Sequence, residues 1–445
     1  MNPLIPQTSP VSRRGFLTMS SVGALGLVAA CGNGKGVGDT GGQGVGGFSG
    51  GAYDGPPITL SYWNGFTGGD GPSMDKLVAR FNAENKKITV KQNTMQWADF
   101  DQRLPAAAQA GKGPDMGVMH LSSVASYAAR KIIVPLDDLA KSLGLQESDF
   151  VSAVWKGGID QGKRYGIPLD VHCLAMYYNK DHFQKAGISS PPTDKASFDD
   201  AAKKLKAAGF QQPFWMPNQW PAHLMFMSLL WQNGGEPIAT DGSKATFDSA
   251  AGVKALDWQV EQTKNGNSPS NVDIDAQYLA FKNGKNSITW DGIWQINDLK
   301  AAGTNFGIAP IPTIGDSPAV WGDSHEFFMT AQAAKDKNRA NASKTFIGWL
   351  SKQSAAWSGA GMVPARNSAR QDPAFTNSEQ AALKDYLDNI HFLPPVPGWG
   401  DVEPNTMDTA VASSILGKEQ AAAALKKAAA NATKLMEENK KKFGA

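Results

Sequence analysis

Cysteine is nearly missing, with two in 445 residues, which excludes a disulfide-framed scaffold. Charge is scarce as well. Lys and Arg total 43, Asp and Glu total 41, and together they make up 19% of the chain. Such a balance gives no global basic field of the kind that holds nucleic acid. Beyond residue 30 no stretch has eighteen consecutive apolar residues, so nothing there is built to span a bilayer as a helix. The six His form no His-x-x-x-His pair, and no two Cys stand at ligand spacing, so local spacing offers no metal site. What the chain does have is length, a 41% apolar share and thirteen Trp. That allows two or three domains, or one two-lobed unit with a sizeable core.

Residues 1–30 lack Asp and Glu. Ser12-Arg13-Arg14-Gly15-Phe16-Leu17, followed by an apolar run from Met19 to Ala30, matches the twin-arginine export signature. The run ends Leu27-Val28-Ala29-Ala30-Cys31, which resembles a bacterial lipoprotein cleavage site. Residues 1–30 therefore read as a removable signal and Cys31 as a lipidated N-terminus holding the protein on the outer face of a membrane. The signal carries Arg13 and Arg14, two of the 43 basic residues, so the mature chain balances at 41 against 41. With Cys31 acylated, Cys173 stands alone and no internal disulfide is expected. Residues 31–55 are Gly-rich and read as a flexible tether. Gly47-Phe48-Ser49-Gly50-Gly51 matches the nucleophile-elbow pattern of hydrolases, but that motif needs a strand before it and a helix after it, and both flanks are Gly-rich.

The body opens with alternation at Ile58, Leu60 and Tyr62, a strand. After a Gly-rich loop, Met74, Leu77, Val78 and Phe81 recur at helical spacing, with Ser73 as the expected N-cap. Ile88 and Val90 mark a second strand. Trp97, Phe100 and Leu104 mark a helix that Pro105 is expected to kink or end. A third strand covers 115–119. This is the start of an open α/β sheet, whose ligands bind at the carboxyl ends of strands. Those ends carry Trp63, Asn64 and Phe66, then Gln96 and Trp97, then His120 and Ser122. An extended run follows residue 166 through Tyr178. Helical patterns cover 198–208, 222–231, 250–262, 340–350 and 419–442, and strand-like runs cover 287–290 and 306–311.

The order of several segments resembles the sugar-type extracellular solute-binding proteins of bacterial ABC importers, of the maltose-binding type. They are the aromatic-Gly loop after Ile58, Gly113-Pro114-Asp115, and the run from Tyr165 to Tyr178-Asn179-Lys180-Asp181. Later come Ala280 to Lys285 with Trp290-Asp291-Gly292-Ile293-Trp294, Gly361 to Arg366, and Pro394 to Trp399. The likeness covers roughly 56–440. It departs near the first crossing, where the acidic residue of some relatives is replaced by His172, with Asp170 two positions earlier. The resemblance implies a type II periplasmic-binding-protein-like α/β fold: two open lobes, a hinge and a ligand cleft between them. It places lobe 1 at 56–170 plus 312–358 and lobe 2 at 171–311 plus 359–445. Gly322-Asp323-Ser324-His325 looks superficially like a hydrolase block but fits the polar loop of this family better.

A sugar offers a flat C–H face for aromatic rings and a rim of hydroxyls for polar side chains, whose burial without partners costs about 1–3 kcal/mol. Trp often stands beside such groups here. The expected ligand contacts are Trp63, Asn64, Phe66, Gln96, Trp97, His120, Ser122, Asp170, His172, Trp215, Asn218, Trp220, Trp290, Asp291, Trp294, His325, Arg366 and Trp399. Trp258 and Trp349 sit in helical patterns and read as core, and Trp155, Trp231 and Trp357 read as packing. Replacing Trp290 with Ala is expected to weaken affinity without unfolding. The expected function is capture of a mono- or oligosaccharide and delivery to the transmembrane subunits of an ABC permease. The protein is expected to be an exported, lipid-anchored monomer without cofactor, metal, nucleic-acid partner or catalytic residues. The alternatives are the same fold binding a polyamine or an iron complex, and a secreted carbohydrate-active enzyme, which would need a carboxylate pair about 5–9.5 Å apart.

Overall fold

Alternation along 58–64 becomes strand β1 (Ile58–Asn64), whose Leu60, Tyr62 and Asn64 are buried. The computed structural model of the chain describes residue 50 and residues 52–443. The expected export signal, Cys31 and most of the expected tether lie outside the described residues.

Strands β2 (Ile88–Thr94) and β3 (Met116–His120) flank β1, both parallel to it. The helix Gly71–Glu84 connects β1 to β2 and buries Met74, Leu77, Val78 and Phe81. It begins two residues before Ser73, because Pro72 suits the first turn, where no backbone donor is needed. The helix Trp97–Gln109 runs through Pro105 rather than ending there. Phe100 and Leu104, both fully buried, hold that helix against the sheet and outweigh the one backbone donor that Pro lacks.

A short hairpin, β4 (Ile159–Asp160) and β5 (Lys163–Arg164), precedes β6 (Ile167–Pro168). Strand β7 (Asp170–Asn179) follows directly. It is ten residues long and almost wholly buried, a continuous run instead of an alternating one. Such a run needs neighbours on both faces. Its second half pairs with β8 (Ile288–Gly292) and β9 (Phe306–Ala309). Its first half pairs with β10 (Val320–Asp323) and, further on in the chain, β12 (Val363–Pro364). Strand β13 (Ile390–His391) joins β10 at the edge. Strand β11 (His325–Met329) returns to the first sheet, antiparallel to both β3 and β6.

Apart from the β4–β5 hairpin, the described strands form two sheets, ordered β2-β1-β3-β11-β6 and β12-β7-β10-β13, with β8 and β9 added to β7. Strand β10 lies in the segment expected for lobe 1 and pairs within the second sheet. Only Ser324 separates β10 from β11, and only Leu169 separates β6 from β7. These two one-residue switches bring the sheets side by side. Behind the first sheet Tyr62, Phe81 and Phe346 pack edge-on, with centroids 4.8–5.3 Å apart. The second has Phe198, Phe214, Trp258 and Trp290, all buried.

Candidate functional site

Where the two sheets meet, strand geometry gathers polar groups that lie far apart in sequence. Asp170 and His172 are two apart at the start of β7, and so share a face. His325 opens β11 directly opposite His120, the last residue of β3. His172 lies opposite Asp323 in the β7–β10 pair.

Asp170 is the hub. Its carboxylate is fully buried. His325 Nδ1 lies 2.8 Å from Oδ2, and the backbone N–H of His325 donates to Oδ1 at 3.2 Å. His172 Nδ1 lies 3.2 Å from Oδ1. The indole N–H of Trp357 donates to Oδ2 at 2.6 Å. An ionised carboxylate only accepts, so Nδ1 of both His carries a proton. Burial alone would raise the pKa of Asp170. The charge and hydrogen bonds of His325 and His172 overcome that and hold it well below the usual carboxylate range. His120 is pushed the other way: burial, and then the neighbouring imidazoles, drive its pKa well below normal.

Aromatic rings enclose this hub and continue from it in a row. Trp97 lies 4.2 Å from the His120 ring and stacks on His325 at 5.4 Å and 16°. Phe66 meets His325 edge-on at 4.8 Å and Trp357 at 4.9 Å. Trp294 lies 5.8 Å from His172 and 6.3 Å from Trp220. The row thus runs from fully buried Trp357 to Trp220, which is 37% exposed. Gly65 is required by this wall, since a Cβ there would stand 2.1 Å from the Trp97 ring.

Carboxylates border the row. Ser122 donates its hydroxyl to Asp323 at 2.7 Å. Burial raises the pKa of Asp323, and pushes that of Asp70 to about 7. Beside Trp220, His223 lies 3.3 Å from Glu403 and 3.6 Å from Asp408. Burial pushes His223 down to about 3 and Asp408 up to about 7.

Of the expected contacts, the structure brings Phe66, Trp97, His120, Asp170, His172, Trp294, His325 and Trp220 into one assembly, with Ser122 on its border. The others make different contacts. Trp290 is fully buried, stacked on Trp258 at 5.3 Å and 11° and packed on Phe214 at 5.3 Å. Its neighbour Asp291 points to the other face of β8. There it accepts from the Gly292 N–H and from Gln277. Arg366 bonds Ser351 and approaches Asp149 over the Phe150 ring. Trp399 is buried. Asn218 donates to Asn271 at 2.6 Å, and Trp215 is half-buried. Trp63 packs half-buried against the core, and buried Asn64 accepts from the Phe66 N–H. Exposed Gln96 accepts from Thr67.

Several participants escaped the sequence reading, and three of them touch the hub or its neighbours. Trp357 reads as packing in the sequence, and only the fold aims its N–H at Asp170. Trp321 lies 6.0 Å from His172. Asp323 could have been found from its place in the Gly-Asp-Ser-His run. The convergence of three His through strand pairing has no local signature at all.

The comparisons agree with this architecture. The profile of the bacterial extracellular solute-binding proteins matches residues 76–383. A protein of Brucella abortus, named only as a binding protein, is 27% identical over 377 residues, which are 82% of this chain and 90% of that one. The sn-glycerol-3-phosphate-binding periplasmic protein of Escherichia coli strain K12 is 27% identical over 316 residues, 66% of this chain and 70% of that one. Among solved structures, the GacH receptor of Streptomyces glaucescens, determined unliganded and with acarbose, has a TM-score of 0.74 at 23% identity, covering 86% of this chain and 98% of that one. The substrate-binding protein Lmo0181 of Listeria monocytogenes, solved with cycloalternan, has a TM-score of 0.75 at 20% identity, covering 86% and 99%. These last two share the fold. With its profile match spanning more than half of its length, the chain belongs to the bacterial extracellular solute-binding protein family.

Proposed function

We propose that this protein captures a sugar, a mono- or oligosaccharide, between its two sheet bodies and delivers it to the permease of an ABC importer. The observation that carries the reading is the row of rings from Trp357 to Trp220, bordered by acceptors and ending at an exposed Trp. Rings of this kind suit the C–H face of a sugar, and the bordering carboxylates and imidazoles suit its hydroxyls. Neighbours of the same fold were solved with acarbose and cycloalternan, which supports the choice. One relative is named for sn-glycerol-3-phosphate. Among the described residues, the charged groups that act on Asp70, Asp170 and Asp323 are carboxylates and imidazoles with no Lys or Arg, so they favour an uncharged solute over a phosphate.

Residues 56–170 plus 312–358 form one lobe and 171–311 plus 359–445 the other, with β10 of the first reaching across to pair in the second sheet. A solute that touches both favours the closed form. The protein binds without turnover, and the lipid on Cys31 holds it at the outer face of the membrane. The test is calorimetry with mono- and oligosaccharides, polyamines and glycerol phosphate. A saturable sugar signal without release of reducing ends supports the proposal. No sugar signal at millimolar ligand, or a signal from another class alone, overturns it.

A further inference from the structure

We infer that the three imidazoles at the sheet junction form a zinc site, with His120, His172 and His325 as ligands. One ring nitrogen from each lies within 4.8 Å of one from each of the others. A tetrahedral zinc with Zn–N bonds of about 2.0–2.1 Å holds its nitrogens roughly 3.3 Å apart, so the three need to close by at most about 1.5 Å. Nothing in the local sequence produces this. It comes from the β3–β11 register, which sets His120 opposite His325, and from β7 running beside them.

The outer partner is built in. Asp170 accepts from Nδ1 of His325 and His172, so Nε2 is the nitrogen that each ring has left for a metal. A buried carboxylate that orients imidazoles in this way is the usual support of zinc-ligating His. Trp357 fixes the carboxylate in turn, through its 2.6 Å hydrogen bond. Three nitrogen ligands leave the fourth position open to water or to a hydroxyl of the solute. The site lies at the inner end of the aromatic row, and the inference stands whatever solute the outer end takes.

The experiment is titration of metal-stripped full-length protein with Zn²⁺ against a chromophoric chelator, beside thermal unfolding. One equivalent should bind with a dissociation constant of micromolar or tighter. His120→Ala is the key variant, because the His120 ring is half-buried and lies outside the Asp170 hydrogen bonds. It should weaken binding at least 100-fold with an unchanged melting temperature in the absence of metal. His325→Gln should do the same if it folds. Asp170→Asn, a positioning change, should weaken binding 10- to 100-fold. His391→Ala, whose ring stacks on Trp231 elsewhere, should leave binding intact. The inference is overturned if no zinc binds, or if His120→Ala binds as the wild type does. It is also overturned if binding is lost in His223→Ala instead, which would place the metal on His223, Glu403 and Asp408.

Discussion

The protein contains two dense aromatic assemblies, and they differ in what they surround. Phe66, Trp97 and Trp357 close around Asp170 and three imidazoles, and every hydrogen-bonding atom of that carboxylate is used. Trp258 and Trp290 stack at 5.3 Å with Phe198 and Phe214 around them, and the indole N–H groups of both Trp meet no acceptor. Aromatic density is therefore no mark of a site. The mark is a buried polar group whose partners arrive from several strands, because only a fold that holds them all can offset the cost of burying it.

The sharpest way to break this comparison is to truncate one ring on each side. Trp290→Ala should remove about 3–5 kcal/mol of stability, as expected for a fully buried Trp. Denaturant unfolding measures that loss, and solute affinity of the folded fraction should be unchanged. A large loss of affinity with little loss of stability would return Trp290 to the site, as its sequence neighbours led one to expect.

Trp97→Ala should behave in the opposite way. Its ring is half-buried, against His120 and His325, and faces the junction rather than a lobe interior. Calorimetry with the bound sugar should show affinity falling about 10- to 100-fold, the worth of about 1.5–3 kcal/mol of lost ring burial. Unfolding should change by less than the Trp290 variant does. Equal stability losses in the two variants would erase the distinction drawn here.

Much of the fold could be read in advance because its signals are local. Alternation at Ile58, Leu60 and Tyr62, and helical spacing at Met74, Leu77, Val78 and Phe81, needed no knowledge of the rest of the chain. Half of the site was legible for a similar reason: Phe66 and Trp97 follow strand ends and His120 closes one. What could not be read depends on register. Strand neighbours such as Trp290 and Asp291 point to opposite faces, so adjacency in sequence, which made them look like one contact, in fact separates them. The pairing of His325 with His120 spans more than two hundred residues. No periodicity reports such a pairing.

Asp291 offers the finest test of that separation, because it shares a strand with Trp290 and yet should act only through its proton. Burial pushes its pKa to about 7, while an unfolded chain returns it to the ordinary value of 3.8. Below about pH 4 both states hold the proton, and Asp291 gives no pH-dependent cost. Between about pH 4 and 7 the unfolded chain gives the proton up and the fold retains it, so stability falls as the pH rises. Asp70 and Asp408 act with the same sign, and Asp170 with the opposite one as the pH falls below its ordinary range. A difference between two proteins cancels all three. Asp291→Asn keeps the shape and can still accept from the Gly292 N–H. Gln277 can turn its amide so that Oε1, which has no partner now, takes the new N–H. The melting temperature of the variant relative to wild type should therefore climb by a few degrees from pH 4 to pH 7.5 and then level off. Parallel curves over that range would mean that Asp291 ionises in the fold as it does in water, and that its face of β8 opens to the junction after all.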